Sequence, residues 1–213
     1  MTYSVKEIYY TLQGEGANVG RPAVFCRFSG CNLWSGREAH RAKAICQFCD
    51  TDFVGTEGPG GGQFAAAADL ARAVARLWPR PISLGHRSFV VCTGGEPLLQ
   101  LDETLLAAFH SEGFEVAIET NGTQRAPLGV DWVCVSPKAG ASLILRSGDE
   151  LKLVFPQREA EPEKFEDLNF KYFFLQPMDG PNRNRNTQFA MRYCLEHPRW
   201  RLSLQMHKML GIP

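Results

Sequence analysis

The chain has 213 residues, 44% hydrophobic and 22% charged, with 23 basic and 23 acidic side chains. That length supports one domain with a sizeable core, and the neutral balance argues against a nucleic-acid binder, which carries a basic excess. No run of about 18 apolar residues is there to cross a membrane, and the opening MTYSVKEIYY, with Lys6 and Glu7, is not a signal segment.

Seven cysteines, three of them clustered, read as metal-binding thiols in a reducing compartment rather than as a disulfide framework. A cytoplasmic protein is expected. Tyr3 to Leu12 (YSVKEIYYTL) reads as a strand and Gln13-Gly14-Glu15-Gly16 as the turn after it, where two glycines leave room for close backbone approach to a ligand. Ala23 to Phe28 is the next strand, followed by the three cysteines. Residues 55–62 (GTEGPGGG) read as a flexible linker, because the GK[ST] of a phosphate loop is missing. Phe64 to Trp78 reads as a helix, with Leu70, Val74, Leu77 and Trp78 on one face and Pro79 as the stop.

Strands are then expected over Ser88–Gly95, Phe114–Gly122, Trp132–Lys138, Glu150–Pro156, Tyr172–Asp179 and Arg201–His207. Helices are expected over Leu101–Ser111, Pro162–Leu168 and Asn186–His197. Near-continuous apolar strands alternating with helices mean an α/β fold with a covered parallel sheet. Short connections after residue 122 leave a regular barrel without some of its helices.

Several strands end in small or polar clusters, namely Thr93–Glu96, Glu119–Gly122, Ser136–Lys138, Gln176–Asp179 and Gln205–His207. In α/β folds such ends line the ligand crevice, so these clusters and the cysteine loop are expected to face one cavity. Fourteen residues separate Cys31 from Cys46, and Cys49 completes a CxxC pair. A closed zinc site takes four ligands and an electron-transfer iron–sulfur cluster usually four cysteines. Three thiolates leave one metal position open. A three-cysteine cluster with one free iron suits chelation by the amino and carboxylate groups of S-adenosylmethionine. A three-thiolate zinc site is the alternative, and it leaves the strand-end clusters unexplained. The spacer Asn32–Ile45 reads as a short helical insertion over the cluster. Cys26, Cys92, Cys134 and Cys194 read as small core residues.

Cys31, Cys46 and Cys49 followed by Asp50-Thr51, with Thr93-Gly94-Gly95-Glu96-Pro97 at a strand end, resemble the radical S-adenosylmethionine superfamily, although its usual spacing is Cx3Cx2C. YTLQGEG (Tyr10–Gly16), FCRFSGCNLW (Phe25–Trp34) and CDTDF (Cys49–Phe53) resemble the 7-carboxy-7-deazaguanine synthase family, in which enlarged cysteine spacing occurs. The resemblance runs from Tyr3 to Pro213. It implies one radical SAM domain over residues 1–213, folded as a partial, open (β/α)6-type barrel with some helices shortened or missing. The implied reaction turns 6-carboxy-5,6,7,8-tetrahydropterin into 7-carboxy-7-deazaguanine by ring contraction with loss of ammonia, in queuosine and other 7-deazapurine biosynthesis.

The resemblance also implies a [4Fe-4S] cluster on Cys31, Cys46 and Cys49, S-adenosylmethionine as a true cofactor, and Mg2+ at Thr51. Cofactor contacts are implied at Phe48, Cys49, Asp50, Gly94, Gly95, Ser136, Pro137, Lys138, Gln176, Pro177, Met178 and Asp179. Substrate contacts are implied at Leu12, Gln13, Gly14, Glu15, Arg27, Thr93, His207 and the terminal carboxylate of Pro213. A reductant such as flavodoxin and a homodimer are implied as well, with no nucleic-acid or membrane partner. Plainer readings stand beside these: core packing for Phe48, a surface position for Lys138 and His207, a turn hydroxyl for Thr51, and a structural ion pair for Arg27, which otherwise suits a carboxylate. Glu15 can accept from pterin amino and ring N–H groups. Glu119 closes an apolar strand and needs a partner, which a ribose or substrate hydrogen bond would supply.

Overall fold

A computed structural model describes residues 2–79 and 87–213. β1 (Tyr3–Leu12) alternates buried and half-exposed side chains over its first half and pairs antiparallel with β2 (Pro22–Phe28), Leu12 opposite Pro22. β3 (Gly62–Phe64) adds antiparallel to the other edge of β1. From β2 onward every pairing is parallel. β4 (Ser88–Gly94), β5 (Phe114–Thr120), β6 (Trp132–Val135), β7 (Ser147–Phe155), β8 (Asn169–Pro177) and β9 (Trp200–Leu202) follow one another across the sheet in chain order. The strand order is β3-β1-β2-β4-β5-β6-β7-β8-β9, and β3 and β9 do not meet. Steady advance in one direction is barrel-like winding, so this is an open, partial barrel.

Two cores support the outer face. α1 (Ala67–Ala75) and α2 (Glu103–Ser111) bury Leu70, Val74, Leu105 and Phe109 against Val5, Val90 and Val116. The Asp102 side chain caps α2 by accepting from the Leu105 N–H at 2.8 Å, and it also accepts from the Tyr3 hydroxyl at 2.9 Å, which ties the helix to β1. α3 (Arg183–Glu196) covers a second core of Leu151, Leu153, Phe173, Leu175 and Trp200 through Ala190. No α-helix stands between β5 and β6 or between β6 and β7 among the described residues. Phe25, Phe89, Val91 and Ala117 fill the inner face. Cys26, Cys92 and Cys134 are buried and free; Cys194 is only half-buried. None of the described helices is long and apolar enough to cross a membrane.

Four elements differ from expectation. The helix expected over 64–78 is shorter, because Phe64 belongs to β3; Leu77 is exposed, and Trp78 meets Tyr10 and Phe114 edge-on beyond the helix end. The glycine-rich stretch is packed rather than flexible. It runs along β1, with Ile8 N–H donating to Pro59 O at 2.8 Å and Gly58 N–H to Lys6 O at 3.0 Å, and a Cβ on Gly61 would overlap the Lys6 carbonyl. The segment expected over Pro162–Leu168 is a 3-10 turn at Pro162–Phe165. The last strand ends at Leu202, and Gln205-Met206-His207 turns back over the sheet into α4 (Met206–Leu210).

Candidate active site

The carboxyl ends of β2 and β4 to β8, the turn after β1, the cysteine loop and the C-terminal segment enclose one cavity of about 340 Å³. Every site residue expected from sequence lines it except Pro137. Pro137 is buried behind the wall, where its carbonyl accepts from the Gln157 amide.

The first wall carries the thiols. β2 delivers Cys31 through Gly30, and the end of β4 is pressed against this loop: Gly95 N–H donates to Phe28 O at 3.2 Å and Glu96 N–H to Gly30 O at 2.9 Å. The sequence pattern points to ligand approach at Gly94 and Gly95. The neighbour that requires glycine is the chain itself, since a Cβ at Gly94 would overlap the Phe28 carbonyl and one at Gly95 the Gly30 carbonyl. Glu96, fully buried, accepts from Leu98 N–H at 3.0 Å, the Thr120 hydroxyl at 2.7 Å and Asn121 N–H at 2.8 Å. Burial pushes its carboxyl up, and these donors oppose the shift. Asn121 in turn donates to the Asn32 side chain at 3.0 Å, one residue beyond Cys31.

The spacer forms a six-residue 3-10 helix at Glu38–Lys43, short and helical as expected. Arg41 makes it a flap. Its guanidinium lies 4.0 Å over the buried Trp34 ring and donates to the Gln47 and Cys49 carbonyls at 3.0 Å. Trp34 meets Phe53 edge-on at 5.6 Å. The Cys46 and Cys49 thiols neighbour each other. Their interaction and burial push the Cys46 thiol up, and the same interaction pulls Cys49 down to about 6. Burial raises Cys31. The Lys138 ammonium faces Cys46 and Cys49 and donates to the Ser136 carbonyl and hydroxyl at 2.7 Å; burial lowers its pKa and the thiols oppose that. No three His, Cys, Asp or Glu among the described residues are spaced to hold a single metal ion. The three thiols share one wall of the cavity.

The second wall is acidic around one cation. Lys152 in β7 is 5% exposed. It is ion-paired with Glu15 and lies 3.3 Å from Glu119. Glu15 also accepts from Gln176 and Gln205, each at 3.1 Å. Glu119 accepts from Gln13 at 3.1 Å and the Thr93 hydroxyl at 3.3 Å. Burial works to raise the Glu15 pKa, but Lys152, with help from the Gln205 amide and His207, overcomes it and holds the carboxyl below its ordinary range. Burial likewise works against the Lys152 charge, and the carboxylates more than restore it.

The C-terminal segment closes the mouth. Met206 N–H donates to Gly14 O at 3.0 Å, and a Cβ on Gly14 would overlap the His207 ring. Gly16 is left-handed (φ 65°) with its open side against the Glu150 carboxylate. Both glycines of QGEG therefore admit other parts of the chain. Lys208 bridges Asp50 at 2.5 Å and Asp179 at 2.6 Å, and a Pro213 carboxylate oxygen accepts from the Thr11 hydroxyl at 3.0 Å. Arg27 makes the structural ion pair, with Glu7 at 2.7 Å, and still faces the cavity. Leu12, Phe48, Thr51, Met178 and Pro177 also line the cavity.

The chain is 64% identical over its whole length to the complete 7-carboxy-7-deazaguanine synthase of Caulobacter vibrioides, and 64% identical to that of Bordetella pertussis, again over all of both chains. The synthase of Bacteroides thetaiotaomicron is 38% identical over the same extent. This chain belongs to the 7-carboxy-7-deazaguanine synthase family. Membership makes it an enzyme rather than a structural metal-binding module. The crystal structure of QueE from Escherichia coli superposes with a TM-score of 0.72 at 29% identity, covering 97% of this chain and 95% of that one. No protein-family model matches the chain.

Within this synthase framework the sequence reading passes over Lys152 and Lys208, and it places Gln205 and Glu96 at the cavity without the bond Gln205 makes to Glu15 or the anchoring role of Glu96. For Lys152 one signal exists. A lysine in ELKLVF, flanked by leucines that are both buried, stands where a buried strand needs a charge partner.

Proposed function

We propose that the protein is a radical S-adenosylmethionine enzyme that converts 6-carboxy-5,6,7,8-tetrahydropterin to 7-carboxy-7-deazaguanine with loss of ammonia, a step toward queuosine and related 7-deazapurines. One observation carries the reading: a single cavity has three free thiols on one wall and the Glu15–Lys152–Glu119 group on another. The donor set fits the cofactors. Three soft ligands with a cation, Lys138, held against two of them suit an iron–sulfur cluster. Cys31, Cys46 and Cys49 would hold [4Fe-4S]. Phe48, Cys49, Asp50, Gly94, Gly95, Ser136, Pro137, Lys138 and Gln176 to Asp179 would hold S-adenosylmethionine, with Pro137 acting only through the backbone course between its neighbours. When bound, these groups supply one-electron abstraction of a hydrogen atom.

The chain's own residues bind, orient and exclude water. Glu15 and Glu119 accept from the amino and ring N–H donors of the pterin. Arg27 and His207 face its carboxylate, and Leu12, Gln13, Gly14 and Thr93 frame the ring. The Thr51 hydroxyl offers one oxygen toward Mg2+, which keeps waters and takes further oxygens from substrate. The Pro213 terminus reaches the same space. The Arg41–Trp34 flap and α4 shield the site from water. We assign one domain over residues 1–213, a flavodoxin-type reductant, a homodimer, a cytoplasmic location, and no nucleic-acid or membrane partner.

Anaerobic loading with iron and sulfide, followed by assay with the carboxy-tetrahydropterin, tests the reading. The deazaguanine product is expected from the parent protein, and brown iron–sulfur absorbance is expected to vanish in Cys46→Ala. Full iron uptake by that variant, or no product from loaded parent protein, refutes the reading.

A further inference from the structure

We propose that Lys152 is a positioning residue: its ammonium, seated between Glu15 and Glu119, sets the two carboxylates as one acceptor pair for the two N–H donors along one edge of a 2-amino-4-oxo ring. The inference rests on the proposed function and deepens it, because that reading places Lys152 in the acidic wall without saying what its ammonium does there.

The geometry leads there in three steps. An ionised carboxylate offers about four lone-pair sites. Glu15 spends three, on Lys152, Gln176 and Gln205. Glu119 also spends three, on Lys152, Gln13 and Thr93. One acceptor site remains on each, joined through a shared cation. Second, the charges do not balance. One buried ammonium faces two carboxylates, and a ligand edge with two donors complements the excess without bringing a counter-ion of its own. Third, the carboxylates come from separate elements, the turn after β1 and the end of β5, and Lys152 in β7 is the group that touches both. Without it, two acids share one dry site, and such pairs retain a proton near neutral pH.

The groups facing this cluster are Tyr9 in β1, Glu150 in β7, Cys134 in β6, Lys138 after β6 and His207 in α4. Glu150 is buried, accepts from Ala17 N–H at 2.8 Å, and has its pKa raised by that burial. All five are the same in parent and variants, so a difference in pH profile reports on Lys152.

The test is equilibrium binding of 7-carboxy-7-deazaguanine to the cluster-loaded enzyme across the neutral range. The parent is expected to bind with a nearly flat pH profile. Lys152→Met is expected to bind more weakly at neutral pH and to tighten as pH rises, by up to about tenfold per pH unit, the slope of a single proton release. Lys152→Arg should keep the flat profile. So should Lys152→Met combined with Glu119→Gln, which removes the cation and one anion together and stands in for the single variant should that fail to fold. A flat profile with parental affinity in Lys152→Met, or a double variant as pH-dependent as the single one, overturns the proposal. Absence of binding by the parent refutes the functional reading instead, and the inference falls with it.

Discussion

Substitution of Glu96 tests whether the thiol wall is built as described. Its Oε1 accepts from Leu98 N–H and the Thr120 hydroxyl, and its Oε2 from Asn121 N–H. Glu96→Ala leaves three buried donors without a partner. At about 1–3 kcal/mol for each orphaned group, with some relieved by rotation of the hydroxyl and by entering water, the loss comes to about 4 kcal/mol. For a chain of this size that is a fall of about 10 °C in Tm. Glu96→Gln keeps the Oε1 acceptor but turns an NH2 against Asn121 N–H, so about 2 kcal/mol and about 5 °C are expected. Because Asn121 holds Asn32 beside Cys31, both variants should also lose iron on desalting, Ala more than Gln. Thermal unfolding followed by circular dichroism, with iron analysis on the same samples, measures both effects. A Glu96→Ala protein that melts within about 2 °C of the parent, or a Gln variant as damaged as Ala, refutes the account.

Lys208→Met removes two half-exposed ion pairs worth up to about 1 kcal/mol each, so amide exchange in residues 206–210 should rise by up to about thirtyfold while the bulk Tm hardly moves. The same latch is pH-sensitive in the parent. The bond from Lys208 holds the Asp179 carboxyl below its ordinary 3.8, so the contribution is complete above that value and disappears as pH falls through the lower folded value; protection in residues 206–210, taken relative to the intrinsic exchange rate at each pH, that stays undiminished in strong acid speaks against it. Thr51→Ala should blunt the response of turnover to added Mg2+, and an unchanged metal dependence removes Thr51 from that role. Peptide added after Pro213 should raise KM for the pterin, and the same peptide before Met1 should not; equal effects separate the C-terminus from the substrate.

Legibility in the sequence follows the range of the interactions. Strands such as FVVC and AIET announce themselves because apolar runs bury both faces, and the missing helices after β5 follow from connections too short to hold them. The cavity's outline is legible for a similar reason, since strand ends in a parallel sheet all open on one side. Residues whose meaning depends on a distant partner are harder to read. Gly14 and Gly16 look like ligand-approach glycines until His207 and Glu150 occupy their open sides. The GTEGPGGG run looks like a linker because composition does not reveal that β1 lies against it. Lys152 looks like one polar position in a strand, although its partners lie 137 and 33 residues away. α4 is hidden because five residues give too few turns for a periodic signal.

The closing contacts join the two ends of the chain. Thr11 meets Pro213 across 202 positions, and Asp50 meets Lys208 across 158. Loops of that length close late and slowly, after the strands between them have paired. The cavity is therefore a late product of folding. A chain that has formed its sheet presents the thiols through an open mouth, and the cavity is shielded only when residues 206–213 dock.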